Sequence, residues 1–182
     1  MNLMIASDIH GSEIYCRKLM EAFDRENPLK LLLLGDLLYH GPRNQLPAGY
    51  NPQETAALLN QKKEAILCVR GNCEAEVDQL LLEFPVLAES CLLFWQGKTI
   101  LAAHGHHRED APPPLQKGDI LLCGHTHIPA CQTQENGVIY LNPGSVSIPK
   151  ENSAHGYLLL TQKEAQWKDL DGNLLRREPL FV

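Results

Sequence analysis

Five short motifs place metal-ligating side chains at the ends of apolar runs: Asp8-Ile9-His10, Gly35-Asp36, Gly71-Asn72, His104-Gly105-His106 and Gly124-His125-Thr126-His127. Carboxylate, imidazole and amide oxygen together suit hard-to-borderline dications such as manganese, iron(II), cobalt or zinc, with waters completing each shell. Two such ions ~3.5–4 Å apart can activate a bridging hydroxide and clamp both the attacking and the leaving oxygens of a phosphoryl group. That chemistry needs one carboxylate shared between the ions, and Asp36 is assigned to the part.

Each motif also has an ordinary reading. Asp-x-His and Gly-Asp are common loop dipeptides, and Gly-Asn is more often a turn than a ligand. Gly-His-x-His is a stronger signal, because strand alternation puts both imidazoles on one side. The specificity lies in the order, with each piece at a strand end. Side chains leaving the carboxyl ends of adjacent strands converge on one rim, where α/β proteins build their sites. Glycine ahead of Asp36, Asn72 and His125 lets the chain turn sharply and keeps bulk away from the ions.

The positioning elements can be read from apolar spacing. Leu3-Met4-Ile5-Ala6-Ser7 and Lys30 to Leu34 read as buried strands, with a helix between them that is N-capped by Ser12 and repeats Tyr15, Leu19, Ala22 and Phe23. Asn51-Pro52-Gln53-Glu54 reads as N-cap, N1 proline and capping glutamate of a helix to about Lys63, followed by a strand from Ala65 to Val69. A leucine-rich helix is predicted from Glu74 to about Glu83. Further strands are expected at 92–95, 99–103, 119–123, 138–141, 157–161 and 165–170, with a Pro112-Pro113-Pro114 stop between the second and third of these. Strands alternating with helices, followed by a run of strands, give an α/β fold of two sheets packed face to face with helices outside. A chain of 182 residues without linker or repeat is expected to form one domain over 1–182.

Composition narrows the ligand class. A net charge of -6 gives no general attraction to a polyanion, so long nucleic acid is not expected. Two dications would outweigh Asp8, Asp36 and a bridging hydroxide by about one unit of charge, which suits an anionic diester. No apolar run approaches the ~20 residues of a membrane span, and Asp8 and His10 follow the short apolar start. The six cysteines (Cys16, Cys68, Cys73, Cys91, Cys123, Cys131) never form C-x-x-C and read as reduced thiols rather than a zinc site. A soluble cytoplasmic protein is expected, and a homo-oligomer is left open.

The ordered set Asp-x-His, Gly-Asp, Gly-Asn, His and Gly-His-x-His resembles the calcineurin-like metallophosphoesterase superfamily. Asp8-Ile9-His10-Gly11-Ser12, His40-Gly41-Pro42-Arg43-Asn44, Val69-Arg70-Gly71-Asn72-Cys73 and Asn142 to Lys150 are similar to its small bacterial phosphodiesterases of the YfcE type. The resemblance implies a four-layer fold of two mixed β-sheets flanked by helices, and hydrolysis of small phosphodiesters by a hydroxide bridging two divalent ions, manganese first. It implies one ion on Asp8, His10, Asp36 and His127, and a second on Asp36, Asn72, His104 and His125. Asn72, Cys73 and Arg43 are the residues given catalytic parts, and Arg70 is a further cation for the phosphate. Cys73 stands where many members have a proton-donating histidine, and nearby dications should draw its thiol toward thiolate. The segment Asn142 to Pro149 is expected to form a structural turn under the site. Two rivals are kept: a phosphomonoesterase using the same ions, and a protein-binding scaffold like the retromer subunit that shares the fold.

Overall fold

In the computed structural model, residues 2–107 and 115–181 are described, and the Pro112-Pro113-Pro114 stop lies outside them. The chain runs β1 (Leu3–Ala6), α1 (Glu13–Glu26), β2 (Lys30–Leu33), α2 (Pro52–Asn60), a 3-10 turn (Lys63–Ala65), β3 (Ile66–Cys68) and α3 (Asp78–Leu81). It continues through β4 (Ser90–Trp95), β5 (Lys98–Ala103), β6 (Ile120–Leu122), β7 (Ala130–Thr133), β8 (Ile139–Asn142), β9 (Gly156–Leu160), β10 (Glu164–Asp169) and β11 (Leu174–Pro179).

Two mixed sheets result, as expected. The first has the order β11-β10-β9-β1-β2-β3 and the second β4-β5-β6-β8-β7. Each has a parallel centre, β1-β2-β3 in one and β5-β6-β8 in the other, extended by antiparallel strands. Ile5, Leu32, Leu34, Val69, Ile100, Ile120, Leu122 and Leu158 fill the space between the sheets. Met4, Leu31 and Leu33 point the other way and are covered by Cys16, Leu19 and Ala22 of α1 and by Ala56 and Leu59 of α2. The three described helices all precede β4.

Local chemistry sets the element boundaries. Ser12 caps α1 by accepting the Tyr15 N–H, while its own hydroxyl donates to the Ala48 carbonyl at 2.6 Å. Asn27 closes α1 in the left-handed conformation, with its N–H on Phe23. Asn51 caps α2 through Glu54 N–H, as its sequence predicts.

The leucine-rich helix expected over 74–83 shrinks to the single turn of α3. Val77, Leu80 and Leu81 are exposed, so no apolar face propagates it. Glu74 instead turns inward, away from any helix. Two strands that the sequence reading passed over, β7 and β11, lie at sheet edges and are largely exposed.

Candidate metal centre

The seven candidate ligands converge. Asp8 follows β1, Asp36 follows β2 and Asn72 follows β3, while His104 follows β5 and His125 and His127 follow β6. Both sheets therefore contribute to one rim. The emerging loops are tied to one another by backbone bonds, His10 N–H to Asp36 O at 2.9 Å and Gly124 N–H to His104 O at 2.9 Å.

Asp8, His10, Asp36, His125 and His127 adopt positive φ, at 59°, 50°, 56°, 66° and 63°. A side chain held in this region costs about 1–3 kcal/mol unless its surroundings enforce it, and such residues gather at functional sites. Here the conformation turns each ligand back over the strand end it has just left. Glycine is needed for a different reason at Gly71 and Gly124: a Cβ on Gly71 would overlap the Asp36 carboxylate, and one on Gly124 would overlap the Ser7 hydroxyl and approach Asp8 Oδ2 to 2.9 Å.

Three imidazoles are oriented by carbonyl acceptors. Nδ1 of His10 donates to Tyr39 O at 2.8 Å, Nδ1 of His104 to Leu34 O at 2.6 Å, and Nδ1 of His127 to Ile148 O at 2.7 Å. Each Nε2 is thereby aimed into the site, the arrangement that readies a histidine for a metal.

Acceptor atoms crowd the interior. Nε2 of His10 lies 3.2 Å from Nε2 of His127, and Nε2 of His104 lies 3.1 Å from Asn72 Oδ1 and 3.2 Å from His125 Nδ1. Asp36 Oδ2 lies 3.7 Å from His10 Nε2 and 3.5 Å from His104 Nε2, between the two groups. Asp8 Oδ1 is buried 3.3 Å from His127 Nε2 and 3.6 Å from His10 Nε2, without hydrogen-bond geometry to either. Atoms of Asp8, His10 and His127, and of Asp8, Asp36 and His104, are close enough for each trio to hold one ion.

Electrostatics report the same crowding. Burial works to raise the Asp8 and Asp36 carboxyls, but adjacent imidazoles hold both below the usual carboxylate range. Burial works to lower His104, yet the Asp36 and Asp8 carboxylates carry it up to about 9. In the protein alone, protons balance this carboxylate–imidazole cluster. The donor set fits dications that would take their place.

A cavity of about 450 Å³ is lined by Asp36, Asn72, Cys73 and His125 together with Arg43 and Lys150. Arg70 does not line it, because its guanidinium bonds Glu89 at 3.3 Å and the Glu74 carbonyl at 3.4 Å. His106 packs on His104 with ring centroids 5.4 Å apart and buries its Nδ1 without a partner.

The Cys73 thiol is pushed up by burial and then by the Asp36 carboxylate, so in the protein alone it keeps its proton. None of the six cysteines is in a disulfide.

The segment from Asn142 to Pro149 supports the site from below. Ser145 and Ser147 hydroxyls donate to the Asp8 carbonyl at 2.8 and 3.2 Å, and the Asn142 amide donates to Gly124 O at 2.7 Å.

Sequence reasoning missed two residues here. Lys150 is brought over the cavity by its N–H bond to His127 O at 3.2 Å. Glu74 is almost fully buried, and its carboxylate accepts the backbone N–H groups of Asp36, Leu37 and Gly71. Burial and the neighbouring Asp36 raise its pKa, while these three bonds act against the rise.

Two mixed sheets with Asp, His and Asn side chains gathered at one rim define a metallophosphoesterase. The chain belongs to the calcineurin-like phosphoesterase superfamily, whose domain model matches residues 1–165. It is 42% identical over 161 residues to the phosphodiesterase YfcE of Escherichia coli, covering 88% of this chain and 87% of that one. The solved structure of the E. coli YfcE phosphoesterase superposes with a TM-score of 0.93 at 37% identity, over 99% of this chain and 100% of the other. Zinc-bound Vps29 from Entamoeba histolytica shares the fold, with a TM-score of 0.62 at 19% identity over 99% of both chains.

Proposed function

We propose that this phosphoesterase hydrolyses small phosphodiesters with two divalent cations, manganese first among them, held at the rim between the sheets. The convergence of buried ligand atoms around Asp36 carries the reading. One cation is assigned to Asp8, His10, Asp36 and His127, and the other to Asp36, Asn72, His104 and His125. The cations supply Lewis acidity and an activated water. The chain supplies the rest. Tyr39, Leu34 and Ile148 carbonyls fix the imidazoles, Asp36 sets the spacing of the two ligand groups, and Arg43 and Lys150 receive the anionic ester in the cavity.

Diester preference draws on the activity for which the E. coli relative is named. Seven ligands in place favour an enzyme over a protein-binding scaffold of the Vps29 kind. The protein acts as one domain over 1–182, and six cysteines outside any disulfide accord with the cytoplasm. A phosphomonoesterase is the nearer rival.

Purified protein loaded with Mn2+ should cleave bis(p-nitrophenyl) phosphate faster than p-nitrophenyl phosphate, and an alkyl diester more slowly than either. A chelator should abolish turnover, and Asp36→Asn should lower kcat more than about 100-fold. Faster monoester cleavage would transfer the assignment to the rival activity. Near-wild-type turnover by metal-loaded Asp36→Asn would defeat the two-cation site.

A further inference from the structure

We infer that Glu74 is the positioning residue that holds the shared carboxylate Asp36 at a fixed distance from Asn72, and so controls occupancy of the second cation site. The inference rests on the two-cation reading given above.

The geometry is a reciprocal brace between two ligand loops. Glu74 Oε2 accepts Asp36 N–H at 2.9 Å and Gly71 N–H at 2.5 Å, and Oε1 accepts Leu37 N–H at 2.7 Å. In return, Asp36 Oδ1 accepts Cys73 N–H at 2.9 Å. Asn72 lies between Gly71 and Cys73, so both of its neighbours are tied to the Asp36 loop. Asp36 itself is held at φ 56°, a conformation that an aspartate keeps only when its surroundings fix its backbone. Glu74 bonds the N–H of that residue and of the next. At 4% exposure, with three charge-assisted bonds inside the protein, the carboxylate has no solvent role to explain it.

Placement gives the effect a direction. Asp36 serves both ions, but Asn72, a ligand of the second alone, also sits on the loop that Glu74 braces, whereas Asp8, His10 and His127 make no hydrogen bond with Glu74. Glutamine fills the same volume but has a single acceptor oxygen. If that oxygen serves Asp36 and Gly71, the amide N–H groups face Leu37 N–H, donor against donor. Aspartate keeps both acceptor oxygens at the loss of one methylene.

The test uses the full chain with Mn2+ alone as the probe, following binding by calorimetry and by EPR, where an exchange-coupled pair differs from an isolated ion. Glu74→Gln is expected to weaken the second site about 10–100-fold, leave the first within about threefold, remove the coupled signal at moderate Mn2+, and lower kcat more than it changes KM. Glu74→Asp should recover most of the coupling and of kcat. Two tight sites with the coupled signal in Glu74→Gln would overturn the inference. Equal weakening of both sites with a lower melting temperature in chelator would also overturn it, making Glu74 a general folding residue. Wild-type protein that binds a single Mn2+ would instead sink the two-cation reading itself.

Discussion

Arg43 and Lys150 are the cations that a phosphate would meet first, and each lacks an ion pair among the described residues of a chain with net charge -6. Arg70, a similar guanidinium beside a ligand loop, is already engaged by Glu89. A charge-assisted hydrogen bond contributes ~1.5–3 kcal/mol, so Arg43→Ala should lower kcat/KM about 10–100-fold on a diester while bound manganese stays constant. Unchanged kinetics would return Arg43 to the solvent. At this scale the convergence of the candidate ligands was legible, because residue type and strand-end placement suffice to bring them to one rim. Glu74 was not. It sits between a ligand motif and a run of leucines that imitates a helix start, and its partners Asp36 and Leu37 are far away in sequence. The left-handed ligands were equally hidden, since aspartate and histidine do not advertise positive φ as glycine does.

Elements hold this site only as firmly as they hold one another. The last turn of α1 is fastened across the first sheet by Glu26, which accepts from Tyr157 of β9 and Lys168 of β10, both at 2.8 Å. The ion pair is well shielded, with side-chain exposures of 17% and 13%. Burial works to raise the Glu26 carboxyl, but Lys168 and Tyr157 outweigh it and the pKa is lowered. A lowered carboxyl stabilises the fold above its unfolded pKa of ~4.3, and that stability is lost as pH falls through the folded value. Glu26→Gln should cost about 1–2 kcal/mol at pH 7, measured by urea unfolding in chelator, and progressively less on acidification. An equal cost at neutral and acid pH would show that shape rather than charge matters there. The beginnings of α1 and α2 were legible because Ser12 and Asn51 are strong caps. The edge strands β7 and β11 were not, because exposed strands carry no apolar alternation and are defined by their partners.

The whole molecule is a sandwich whose two halves were legible in kind, strands with helices and then strands alone, but not in connection. Parallel centres follow from the alternation, and strands at 157–161 and 165–170 were expected, but nothing in the sequence signals that with β11 they form half of the first sheet. That half bears on the metal centre. β9 pairs with β1, the strand that presents Asp8, and the Trp167 indole of β10 donates to Asn142 O at 2.8 Å, whose side chain in turn holds Gly124 beside His125. All candidate ligands lie between Asp8 and His127, while β9 begins at Gly156. During synthesis the chain therefore carries every ligand well before it carries the strands that brace them. A chain ended after Ser153 should lack fixed tertiary structure by near-ultraviolet circular dichroism and bind Mn2+ at least about tenfold more weakly than the full protein. Full-length affinity in that fragment would contradict this order. A ribosome-bound chain would otherwise emerge as a set of loose imidazoles and carboxylates, able to meet ions in wrong pairings until its last strands arrive and make the geometry final.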